Sequence, residues 1–247
     1  MTPDDAPRAS KPPRDPGHLP SHELPPPSWP VPSPDLAGWT RQLSALRNSH
    51  LDAYRAWVRD WVKVRYPDYS PLERHVAVFD PDGDGVLDLS DTYNACREMG
   101  GTRWVALKAT LVTAAAISRL RWIPWSMPIT RVAELAHPAV HSGGFRADRS
   151  ESGIEPTIQS LAPSGRCPFQ LTARDIRSHF ELVAKRSDFP AAKVRDAARI
   201  SSLEWPVLLD FTNGRVDEND LHSLFQGSLF FELLRPDALA RRVCASP

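Results

Sequence analysis

Residues 79–91 read Phe79-Asp80-Pro81-Asp82-Gly83-Asp84-Gly85-Val86-Leu87-Asp88-Leu89-Ser90-Asp91. Counted from Asp80, carboxylates occupy positions 1, 3, 5, 9 and 12 of a twelve-residue loop, and Gly85 occupies position 6. This is the spacing of an EF-hand calcium loop. A calcium ion takes six to eight hard oxygen ligands, and the odd positions of a tightly wound loop point inward. Position 6 demands a positive φ, which glycine adopts without steric cost. Position 7, Val86, contributes only its backbone carbonyl, so its side chain is free to be apolar. The ligand set is therefore Asp80, Asp82, Asp84, the Val86 carbonyl, Asp88 (directly or through water) and Asp91. An acidic surface loop is the alternative, but five carboxylates in twelve residues repel one another unless a cation joins them. Position 12 is Asp91 rather than Glu, and its shorter reach favours weaker calcium binding with magnesium competing.

Working outward, Ser70-Pro71-Leu72-Glu73 reads as a helix start, with Ser70 as cap, Pro71 in the first turn and Glu73 completing a capping box. The helix entering the loop carries Leu72, Val76 and Phe79 on its apolar face, and His75 shares that face. On the far side the helix Leu89–Met99 stops at Gly100-Gly101. Upstream, Leu36, Trp39, Leu43, Leu46, His50, Tyr54, Trp57 and Trp61 recur at steps of three and four. This pattern predicts one long amphipathic helix ending before Pro67, with His50 packed in the core. Residues 1–34 hold about half of the chain's 25 prolines and read as a disordered, proline-rich tail.

Downstream, residues 104–117 form an apolar run of roughly 21 Å as a helix, short of the ~30 Å hydrocarbon core of a bilayer. It fits either a buried helix or one that dips into a lipid leaflet. Pro124 to Pro128 then force a turn, with Trp122 and Trp125 suited to a membrane interface. Residues 142–168 read as a long loop, and Thr172 with Asp175 and residues 191–211 mark further helices. Asn213-Gly214-Arg215-Val216-Asp217 resembles a decayed loop with Gly214 at position 6. Leu209 and Phe211 at its positions 1 and 3 cannot bind a cation. It is expected to be a metal-free partner, bridged through the position-8 residues Leu87 and Val216, with a last helix over Leu221–Leu234. The fold class is thus all-α: an EF-hand-like helical domain over residues 35–247, with one calcium loop (80–91), an apolar and proline-turn segment (104–128) and a degenerate C-terminal hand (171–235).

Composition narrows the function classes. The formal net charge is zero, so no nucleic-acid partner is expected. Cys96, Cys167 and Cys244 form neither a disulfide framework nor a zinc spacing, which suits a reducing compartment. The first residues, Met1-Thr2-Pro3-Asp4-Asp5, carry no apolar run of a secretory signal, so the protein is expected not to be secreted.

From His75 to Leu234 the sequence resembles the caleosin family, whose members include calcium-dependent haem peroxygenases of lipid droplets. The strongest segment is His75 to Gly100, a His followed by a short apolar stretch ending in Phe79-Asp80, one calcium loop, then Asp91-Thr92-Tyr93 and Arg97-Glu98-Met99-Gly100. Leu203-Glu204-Trp205 and Phe225-Gln226-Gly227-Ser228-Leu229-Phe230 resemble two further family signatures in the right order. The resemblance implies a haem held by two histidines. His75 matches the first. His137-Pro138-Ala139-Val140-His141 keeps the spacing of the second segment, which makes His141 the second candidate and His137 the runner-up. The Gly-Ser-Asp that follows in the family is replaced here by Ser142-Gly143-Gly144, and the proline knot is reduced to Pro124 and Pro128.

Haem iron takes imidazole as an axial ligand, and the macrocycle is flat and apolar. A histidine on an apolar helix face suits that need, although such a residue taken alone is more often a packed core histidine. The implied activity is transfer of oxygen from a hydroperoxide to an unsaturated fatty acid. Calcium and haem are the implied cofactors, and a fatty acid or fatty acid hydroperoxide is the implied small-molecule partner. Peripheral association with a lipid droplet or membrane on the cytoplasmic side completes the expectation. The alternative is a non-catalytic calcium-binding protein of the lipid-droplet surface.

Overall fold

The computed structural model describes residues 35–118, 126–134, 206–214 and 216–244, all within the compact unit formed by residues 32–247. Among them helices dominate, and the fold class is all-α. In order come α1 (Leu36–Ser49), α2 (Leu51–Arg65), α3 (Pro71–Ala77), β1 (Val86–Asp88), α4 (Leu89–Glu98), α5 (Arg103–Ser118) and β2 (Ser126–Pro128). A 3-10 helix (Ile129–Glu134) follows β2, and helical residues 206–211 precede α6 (Glu218–Gln226), α7 (Leu229–Leu233) and α8 (Pro236–Cys244).

The long helix expected over residues 36–66 is two helices. His50 breaks it at φ −144°, ψ 65°, ending α1 and preceding α2. Asn48 and Ser49, residue types of low helix propensity, lead into the break. His50 is exposed rather than packed in the core. The break lets α1 pack on α8 while α2 packs on α7. Trp39 and Trp57 meet edge to face at 5.6 Å, as do Trp61 and Phe231. Leu43, Tyr54, Val58, Phe225, Leu229, Phe231 and Leu239 complete this buried centre.

The start of α3 follows from its sequence. Ser70 Oγ accepts from Glu73 N–H, and the Glu73 carboxylate accepts from Ser70 N–H. The apolar face differs from expectation in degree, because Leu72, His75, Val76 and Phe79 are half-buried while Pro71, Ala77 and Val78 are buried. The last helix predicted over Leu221–Leu234 is also two pieces, α6 and α7, separated at Gly227 with φ 83°. A side chain there would overlap the Pro71 carbonyl and crowd Arg74 and His75, so a bare backbone is what lets the α6–α7 corner close onto α3.

The β-bridge expected between Leu87 and Val216 is not formed. Leu87 pairs instead with Met127, in an antiparallel register that sets Val86 opposite Pro128 and Asp88 opposite Ser126. Val216 is buried without joining that ladder. Helix α5 packs against α4 through its small residues. Ala106, Ala109 and Ala114 are buried, while Trp104, Leu107 and Leu111 are 73%, 41% and 61% exposed. Among the described residues no helix is long and apolar enough to cross a membrane.

Candidate metal centre and its flanking histidine

The loop is organised by its first ligand. Asp80 is 8% exposed and ties the turn from within. Its Oδ1 accepts from Gly83 N–H at 2.8 Å and from Asp84 N–H at 3.2 Å. Its Oδ2 accepts from Gly85 N–H at 3.0 Å. Gly85 has φ 79°, the left-handed value that position 6 needs. Asp84 Oδ1 accepts from Val86 N–H at 2.8 Å. These bonds aim one oxygen each of Asp80, Asp82 and Asp84 to within 4.8 Å of one another, a cluster able to hold a metal ion.

The small sheet orients the position-7 carbonyl. Ile129 N–H donates to Gly85 C=O at 2.9 Å, so the next pair, Val86 with Pro128, falls at a non-hydrogen-bonded step of the antiparallel ladder. The N–H and C=O of Val86 then point away from β2 and toward the loop. Asp88 also caps α4: its Oδ1 accepts from Asp91 N–H at 2.8 Å and from Ser90 Oγ at 2.9 Å. Burial works against its charge, but those donors hold the Asp88 carboxyl below the usual range.

Electrostatics show what the cluster needs. Burial, a hydrogen bond with Asp82 and the charge of Asp84 push the Asp80 carboxyl up to about 6, against the backbone donors of Gly83 and Gly85. Asp91 is also pushed up to about 6, by burial and then by Asp88, Asp82, Asp80 and Asp84. Carboxylates that resist ionising together are relieved by a divalent cation. The donor set, all hard oxygen, fits calcium or magnesium.

The degenerate loop shows the contrast. Asp217, at position 9, accepts from Asp220 N–H at 2.7 Å, and Asp220, at position 12, accepts from Asp217 N–H at 3.0 Å. This repeats the helix-capping bond of Asp88 and Asp91. The Asp220 carboxylate, however, is held by Arg55 Nη2 of α2 at 2.6 Å. The same guanidinium lies 3.7 Å from Glu232 and 3.9 Å from Asp217. The counter-charge of the position-12 carboxylate is thus a guanidinium from α2. Sequence reasoning missed Arg55, because nothing near it in the chain separates it from its solvent-facing neighbours.

His75 lies five residues before Asp80 on α3. Its half-buried ring meets Phe230 at 4.7 Å, tilted by 47°, and Phe230 also touches Phe79 at 5.3 Å. The Phe225–Phe230 segment thus reaches the histidine, with Gly227 against the backbone of His75. The 3-10 helix after β2 packs on α3 as well. His137, His141, Trp122, Trp125, Leu203–Trp205, the helices expected from Thr172 and residue 191, and the tail 1–34 lie outside the described residues. For haem, the described residues offer one imidazole in aromatic, half-buried surroundings, which suits the edge of an apolar macrocycle.

A comparison with curated proteins and one with solved structures found no match. A family model described as "Caleosin related protein" matches residues 67–144. That stretch contains α3, the cation loop, α4, α5, β2 and the positions of His75, His137 and His141. Over residues 67–144 the chain is similar to the caleosin family, and that similarity supports calcium binding at the loop Asp80–Asp91.

Proposed function

We propose that the chain is a calcium-dependent haem peroxygenase that transfers oxygen from a hydroperoxide to unsaturated fatty acids at a lipid surface. The observation that carries this reading is the direct run from His75 into the cation loop, with the imidazole ring placed against Phe230. Haem, when bound, supplies transfer of an oxygen atom from a hydroperoxide to an alkene or C–H bond. His75 and His141 would hold it, with His137 the runner-up. The protein's own contribution is orientation. The Ser70–Glu73 box and the close contact at Gly227 fix the start of α3. A cation on Asp80, Asp82 and Asp84 would fix its end, and so the direction of the imidazole. The 3-10 helix Ile129–Glu134, which precedes His137 and His141 in the chain, packs on α3.

The outward stripe Trp104, Leu107 and Leu111 on α5 supports peripheral contact with a lipid droplet or membrane on the cytoplasmic side, where the acyl substrate resides. A second reading, a non-catalytic calcium-binding protein of the lipid-droplet surface, is favoured by one observation: the His75 ring already has an aromatic neighbour in Phe230. Epoxidation of oleate with cumene hydroperoxide decides between them. Wild-type protein is expected to carry haem and form the epoxide, and His75→Ala to lose both while keeping its calcium site. Folded wild-type protein that takes up no haem ends the enzyme reading and leaves the second.

A further inference from the structure

Helix α8, which no motif in the sequence marks, reaches both sides of the cation loop through one side chain. The Arg242 side chain is 9% exposed. Its Nη1 donates to the Val78 carbonyl at 2.6 Å. Val78 caps the C-terminus of α3 two residues before Asp80, and its carbonyl is one of the acceptors that a helix end leaves without an intrahelical donor. The Nη2 of Arg242 donates to Glu98 Oε2 at 2.7 Å. Glu98 is the last residue of α4, the helix that leaves the loop. The Glu98 carbonyl in turn accepts from Arg235 N–H at 3.0 Å, at the foot of α8. A planar guanidinium with a fixed fork thus spans the end of the entering helix and the far end of the exiting one.

We propose that Arg242 is a positioning residue for the cation loop: by holding the Val78 carbonyl and the Glu98 carboxylate at once, it presets the loop's affinity from outside the ligand set. The inference rests on the reading that loop 80–91 binds calcium. The ligand oxygens of Asp80, Asp82 and Asp84 lie within 4.8 Å of one another in the same structure in which Arg242 ties the two helix ends. Without it, the side chain that ties both helix ends is lost, while Glu98 keeps its bonds to Arg235 and Arg241. The apparent affinity then falls in proportion to the fraction of molecules that keep the binding-competent loop.

The test is calcium titration of the full chain by calorimetry, on variants first shown to be folded by circular dichroism. Arg242→Met is expected to weaken calcium binding roughly tenfold, the equivalent of one lost charge-assisted hydrogen bond. Arg242→Lys, which keeps the charge but cannot bridge both acceptors with a rigid fork, is expected to fall between and serves if the methionine variant does not fold. Arg241→Met is the control: Arg241 reaches Glu98 at 3.1 Å without contacting Val78, and its affinity should stay within about twofold of wild type. A merely structural role for Arg242 would lower the melting temperature and leave the affinity of the folded protein unchanged, and that result overturns the proposal. Equal weakening by Arg241→Met, or tighter binding in Arg242→Met, overturns it too. Wild-type protein that binds no calcium overturns the loop reading itself, an outcome distinct from all of these.

Discussion

Replacing Arg55 with methionine removes the guanidinium that Asp220, Glu232 and Asp217 share. The Asp220 and Glu232 side chains are 10% and 3% exposed, so two carboxylates lose a close counter-charge inside the protein. Removing one partner of a buried ion pair costs about 3–5 kcal/mol. Burial already holds both carboxyls above their usual range, against the pull of Arg55 and, for Glu232, of Arg59 as well. Without Arg55 they rise further. A carboxyl raised in the folded state contributes stability that is present below its unfolded value and is lost as pH rises through the folded value. The variant's deficit should therefore be full at pH 7 and shrink on acidification, by up to about 1.4 kcal/mol per pH unit for each carboxyl that takes up a proton. Urea unfolding followed by tryptophan fluorescence at pH 7 and pH 5 measures both. The double variant Arg55→Met/Asp220→Asn should recover part of the loss. A deficit under about 1 kcal/mol at pH 7, or one equally large at pH 5, would refute the reasoning that Arg55 is the counter-charge these carboxylates depend on.

The intact protein should bind one divalent cation, with Asp80→Ala abolishing it; calorimetry that shows two sites, or none at millimolar calcium, contradicts this. Because Asp80 and Asp91 are pushed up to about 6 without the ion, calcium affinity should fall as pH drops from 7 to 5, and binding near pH 6 should release protons, measurable from calorimetry in buffers of different ionisation heat. By the same sign, the metal-free fold gains stability from these two groups as pH falls from about 6 toward 4. His141→Ala should lose haem as His75→Ala does, with His137→Ala milder; full haem in both of the first two ends the ligand assignment. Converting Trp104, Leu107 and Leu111 to serine should abolish flotation with liposomes, and a folded triple variant that floats as wild type does removes α5 from the lipid contact.

What is legible in the chain is what lies close together along it. The cation loop is twelve consecutive residues, and its ligand oxygens, its glycine turn and the Ser70–Glu73 cap are set by neighbours in sequence. The break at His50 escapes a sequence reading because the apolar spacing of α1 and α2 continues in phase through it, while the polar pair Asn48-Ser49 is an ordinary helix surface until the backbone bends. The partner of Leu87 escapes it because strand pairing is a long-range choice. Met127 and Val216 both offer an apolar position, and only the fold brings Ser126–Pro128 alongside. Arg55 and Arg242 are separated from their partners by 165 and 164 residues, so no local pattern marks them. Helix α8 does carry one weak local sign in Pro236-Asp237, a pair suited to a helix N-terminus but common enough elsewhere to predict little by itself.

The most direct test of the central claim is the absorbance spectrum of the purified, haem-reconstituted protein, taken with calcium and again after chelation. If the cation loop directs His75 toward haem, a Soret band is present with calcium, shifts or weakens when calcium is removed, and is lost in His75→Ala. A wild-type protein with no Soret band, or with one indifferent both to calcium and to His75, contradicts the account.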